Sequence, residues 1–111
     1  MAAKKDVLEK IVALKRQSAE QQVRALQMDV DRIESAINDL AGSLKSMDEG
    51  KADFDAHRLA EIHGHVGKIL RDIDAGKAAL ALKRSELHSA REELKRVFHS
   101  QERLGEVVPK G

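Results

Sequence analysis

The stretch Val23-Arg-Ala-Leu26-Gln-Met-Asp-Val30-Asp-Arg-Ile33-Glu-Ser-Ala-Ile37-Asn-Asp-Leu40-Ala-Gly-Ser-Leu44-Lys-Ser-Met47 decides the fold. Its aliphatic residues advance in steps of 3, 4, 3, 4, 3, 4, 3, which keeps them on one face of a helix and off any face of a strand. The same rhythm restarts at Leu59, Ile62, Val66, Ile69 and Ile73 and runs on through Gly76, Leu80, Lys83, Leu87, Ala90, Leu94, Val97, Gln101, Leu104 and Val108. Eleven of these fifteen positions are Val, Ile or Leu, so the second tract is a coiled-coil helix like the first. Between them lies Ser46-Met-Asp-Glu-Gly50-Lys51, with Gly50 suited to a turn and Asp53 and Asp55 suited to a helix start.

These observations predict an all-α fold, a long antiparallel two-helix coiled-coil hairpin filling residues 1–111 as a single unit. Helices are expected over 4–47 and 52–107, with a turn at 48–51 and a short tail at 108–111. At about 1.5 Å per residue each helix would be roughly 65–85 Å long. The expected register pairs residues whose numbers sum to 99: Leu26 with Ile73, Val30 with Ile69, Ile33 with Val66, Ile37 with Ile62 and Leu40 with Leu59. It leaves four residues for the loop, within the roughly 2–5 common in helical hairpins. It also places Arg16 against Lys83 and Val23 against Gly76, two weak layers. Near Leu8, Ile11, Val12 and Leu14 the apolar face drifts, and a stutter is expected. Gly64, Gly67 and Gly76 each cost about 1 kcal/mol of helix propensity relative to Ala. They read first as surface glycines, and second as a flexible segment or a close approach of another backbone.

Composition narrows the function. The 111 residues contain two aromatic rings, Phe54 and Phe98, one Pro, no Cys and 35% charged side chains. So few rings argue against an ordinary compact α/β or all-β domain. Without Cys there is no disulfide scaffold, no thiolate zinc site and no cysteine nucleophile. The five histidines fall at spacings that do not chelate together: His63 and His65 lie about 200° apart on a helix. No apolar run approaches the roughly 20 residues of a membrane span, so no membrane insertion is expected. Catalysis, cofactors, metal ions and nucleic-acid binding are likewise not expected, because the carboxylates sit on an open coil and the basic residues lack aromatic stacking partners.

Charge is segregated. Residues 1–16 carry five basic and two acidic groups, residues 77–111 eight and five, and residues 29–61 four and nine. A hairpin gathers the basic segments at the end that holds both termini and the acid at the turn. Solvated coiled-coil faces with i,i+4 pairs, such as Glu20–Arg24 and Glu92–Arg96, account for this pattern as well as an electrostatic docking end does. In the expected register Lys4 meets Lys95, so the second helix overhangs the first by about a dozen residues. A partner-binding site is therefore expected on Lys4, Lys5, Arg91, Lys95, Arg96, Val97, Phe98, Arg103, Leu104 and Val108, an apolar centre with a basic rim.

The opening Leu8-Glu-Lys-Ile-Val-Ala-Leu-Lys-Arg-Gln-Ser-Ala-Glu-Gln-Gln-Val23 resembles the FliJ family of flagellar export proteins and the related YscO-like proteins of type III secretion. The run Ser85-Glu-Leu-His-Ser-Ala-Arg-Glu-Glu-Leu-Lys-Arg-Val-Phe-His-Ser-Gln-Glu-Arg-Leu104 is similar to that family's closing segment. The chain is short for the family. The resemblance implies a non-enzymatic stalk, like the central stalk of rotary ATPases, that engages a hexameric export ATPase ring and an export-gate protein. By position, the first contact would fall on residues 1–16 and 91–108 and the second on Phe54 to His65. A cytoplasmic location, peripheral to a secretion apparatus, goes with it. Two further readings stand beside it: a structural or adaptor hairpin that self-associates as a homodimeric helical bundle, and a chaperone for export substrates.

Overall fold

Two α-helices make up the structure, α1 over Ala2–Glu49 and α2 over Ala56–Val107. The computed structural model describes the backbone of residues 2–49 and 56–107 and the side chains of 4–48 and 56–105. The chain is all-α, an antiparallel helical hairpin, with no strand among the described residues. Asp48 and Glu49, expected in the turn, continue α1. Gly50, Lys51, the expected helix start at 52–55 with Phe54, and the tail from Val108 on lie outside the described residues.

The helices pack as two compact units, a terminal one (Met1–Met28 with Arg84–Gly111) and a central one (Asp29–Lys83). In the central unit Val30, Ile69, Ile73 and Leu80 are buried, and Ile33, Ile37, Leu40, Leu44, Met47, Ile62 and Val66 are half-buried. In the terminal unit Ala19, Leu26, Leu87, Ala90 and Val97 are buried, with Val12, Val23, Leu94 and Leu104 half-buried. The residues removed from water are the heptad positions of the sequence, so the seam lies where its 3–4 spacing puts it.

The register does not follow the expectation. In the central unit Gly76 lies against Ile37, so close that a Cβ on Gly76 would come within 2.9 Å of the Ile37 Cγ1. Lys83 Nζ stands 3.9 Å from Asp29 Oδ2. Facing residue numbers therefore sum to about 113 rather than 99, a slip of two heptads. Ile37 meets Gly76 instead of Ile62, and Leu59 is exposed because no residue of α1 faces it. In the terminal unit Arg16 reaches Gln101, and Glu20, Val23 and Arg24 border the same groove as Leu94. The like-charge layer of Arg16 with Lys83 and the thin layer of Val23 with Gly76 do not form.

Two whole heptads move every seam residue to an equivalent seam position, so hydrophobic periodicity is blind to the difference. The shorter loop favoured the expected register, but loop length does not fix the pairing, because packed helices are joined by roughly 2–8 residues. Facing numbers that sum to 113 and to 99 leave nearly the same length of α1 and α2 with facing positions, so overlap does not separate the two registers either.

Candidate partner-binding surface

The terminal unit holds the described residues of the expected binding site, and the register changes their surroundings. The overhang of a dozen residues on α2 is absent: α1 begins at Ala2 and supplies a facing position for Val97 and for Leu104. Val97 is 8% exposed, a core residue and not an apolar anchor awaiting a partner. Leu104 is half-buried, the side chain of Val107 is not described, and Val108 lies outside the described residues.

Phe98 remains at the surface, 37% exposed, with the Arg16 guanidinium 4.5 Å above its ring centre. Arg16 occupies a seam position, where a cation is costly unless its charge is satisfied. Its Nε donates to Glu20 Oε1 at 2.9 Å, its Nη1 donates to Gln101 Oε1 at 3.3 Å, and its plane covers the ring of Phe98. A cation over an aromatic face contributes about 0.5–1 kcal/mol at such a partly exposed site. This arrangement joins α1 to α2 through polar groups at a layer where aliphatic packing would otherwise be expected.

The basic residues of the site are largely engaged. Arg91 Nη2 donates to Gln27 Oε1 at 2.8 Å, Lys95 Nζ to Glu92 Oε1 at 3.2 Å and Arg96 Nη1 to Glu93 Oε2 at 2.6 Å. Lys5 Nζ stands 3.9 Å from Glu9 Oε1. Lys4 and Arg103 are exposed. The hydrogen bond and the charge of Lys95 hold the Glu92 carboxyl below the usual glutamate range, with smaller help from His88 and Arg96. Exposed pairs of this kind contribute little to stability, so these side chains can exchange partners at low cost.

Beside them on α2, Arg96, His99, Ser100, Glu102 and Arg103 line an open hollow. His99 Nδ1 lies 3.8 Å from Glu102 Oε2 there. Among the described residues no three His, Cys, Asp or Glu side chains gather closely enough to hold a metal, and no buried side-chain polar atom lacks a hydrogen-bond partner. None of the described helices is long and apolar enough to cross a membrane.

The larger apolar surface of the terminal unit lies on α1, where the sequence reading did not place it. Val7, Leu8, Ile11 and Leu14 are all exposed, Leu14 at 64%. The drift of apolar residues around Leu8 to Leu14 was the available signal. It marks a turn of the apolar face away from α2, with only Val12 of that group half-buried. Compared with family models, curated proteins and solved structures, the chain matches none.

Proposed function

We propose that the chain is a non-enzymatic coiled-coil stalk of a flagellar or type III export apparatus, and that its terminal unit engages a hexameric export ATPase while the region around Phe54 to His65 meets an export-gate protein. The observation that carries this reading is the meeting of Leu8–Val23 and Ser85–Leu104. These are the two segments that resemble the family, far apart in sequence, and they belong to one unit. That unit carries twelve Lys and Arg against eight Asp and Glu, while the central unit carries eight against eleven. A net positive, helical end suits entry into an acidic-walled protein cavity, where charge speeds encounter and buried side chains slow release. A non-enzymatic role accords with the open hollows and with titratable groups that stay at the surface among the described residues. The setting is cytoplasmic, at the periphery of the apparatus.

The experiment is binding of the purified chain to a purified hexameric export ATPase, with Phe98→Ala plus Leu104→Ala as the probe. The substitutions should weaken binding by roughly 2–4 kcal/mol and leave helix content nearly unchanged. Raising salt should slow association more than it speeds dissociation. No binding, or binding that ignores both substitutions, would remove the stalk reading. A self-associated mass that falls in the double variant would favour the bundle.

A further inference from the structure

On the outer side of α1 a second heptad stripe runs through the terminal unit: Val7, Ile11, Leu14, Ser18, Gln21, Ala25 and Met28, in steps of 4, 3, 4, 3, 4, 3. These residues are offset from the seam that faces α2, and all seven are exposed, Leu14 at 64% and Met28 at 71%. Three heptads of helix extend for about 32 Å. The helix positions that border the stripe hold Lys10, Gln17 and Arg24 on one side and Leu8, Lys15 and Gln22 on the other. Lys4 precedes it in the same line. The acids of this part of α1, Asp6, Glu9 and Glu20, lie at seam or seam-flanking positions instead. Glu20 is there bonded to Arg16.

We propose that this face of α1, from Val7 to Met28, is a docking surface for an acidic amphipathic helix of a partner protein. The stripe has the periodicity that a second helix matches over several turns, and every charged residue of its rim is basic, which selects glutamate- and aspartate-flanked apolar residues on the partner. A second copy of the chain fits poorly. Stripe against stripe would appose lysines, and the acidic central unit continues the stripe on α1 as Arg32, Ser35, Asp39, Gly42 and Ser46, without an aliphatic residue. An anionic lipid surface fits poorly too, because the stripe is only two residues wide, holds Ser18 and Gln21 at its middle and contains no aromatic anchor. The stripe shares residues 1–16 with the stalk reading, but it rests on its own exposed heptads and its test uses neither Phe98 nor Leu104, so the two can fail separately.

The test uses the full chain and a labelled designed peptide of about 28 residues, with Leu at its a and d positions and Glu at e and g. A control peptide carries Lys at e and g. Fluorescence anisotropy should show the Glu peptide binding at least about tenfold more tightly than the Lys peptide. Leu14→Gln with Met28→Gln, both at exposed sites, should weaken it roughly tenfold or more without change in circular dichroism. Lys10→Gln, Lys15→Gln and Arg24→Gln together should flatten its dependence on salt between about 0.05 and 0.3 M. Equal binding of the two peptides, or indifference to Leu14→Gln with Met28→Gln, overturns the proposal. So does capture by phosphatidylserine vesicles in place of the peptide. A doubled molar mass that the same two substitutions return to that of one chain would assign the face to self-association and overturn it equally.

Discussion

Gly76 and Gly64 show how much one residue's surroundings decide. Both cost helix propensity, but the heptad count puts only Gly76 on the seam. Gly64 faces open space, whereas a Cβ on Gly76 meets Ile37 Cγ1 at 2.9 Å. Gly64→Ala should therefore stabilise the fold by about 0.5–1 kcal/mol. Gly76→Ala gains the same propensity but must displace Ile37 from its packed position, at a cost of about 1–3 kcal/mol, and should be net destabilising. Thermal or urea unfolding of the two variants checks the contrast, and equal stabilisation by both would place Gly76 away from Ile37. Glu92 offers a second check at this scale. Its carboxyl is held below the usual glutamate range mainly by Lys95, so its charged form gains from the folded helix. That contribution is present above the ordinary glutamate pKa and is lost as pH falls through the lowered one. Carboxyl-carbon NMR titration should place Glu92 below the ordinary range, and Lys95→Gln should bring it back toward that range.

At the level of the helices, heptad spacing was readable from sequence because burial depends on the residue's own helix face. Val30, Ile69, Ile73, Leu80 and Leu87 are buried where the 3–4 rhythm puts them. The pairing of one helix with the other was not readable, because a slip of two heptads exchanges seam positions for seam positions. Only specific contacts distinguish the registers, and here they are Gly76 against Ile37 and Lys83 beside Asp29. The expected site suffered from the same slip: Val97 passed from overhang to core. Arg16, read as a defect against Lys83, covers Phe98 and bonds Gln101. Local stability should follow the observed pairing. Amide exchange should be fast at 56–63 of α2, where facing positions fall beyond the end of α1, and slow around Leu26, Val30, Leu80 and Leu87. Strong protection at 56–63 would contradict the register.

For the molecule as a whole, the two units differ in charge, with an excess of four basic residues in the terminal unit and of three acidic ones in the central unit. The chain's net charge of +1 thus conceals two units of opposite sign. Association with an acidic partner should weaken steeply with salt if it uses the terminal unit, and hardly at all if it uses the central one. Which residues of the terminal unit are core and which are overhang, Val97 above all, rests on which residues of α1 face which residues of α2. Cysteine cross-linking measures that directly in a chain with no cysteine of its own. Under mild oxidation, Ile33→Cys with Leu80→Cys should close within one chain, and so should Leu26→Cys with Leu87→Cys. Ile37→Cys with Ile62→Cys should not. Efficient closure of Ile37 to Ile62, with failure of the other two pairs, would contradict the structure and the surfaces derived from it.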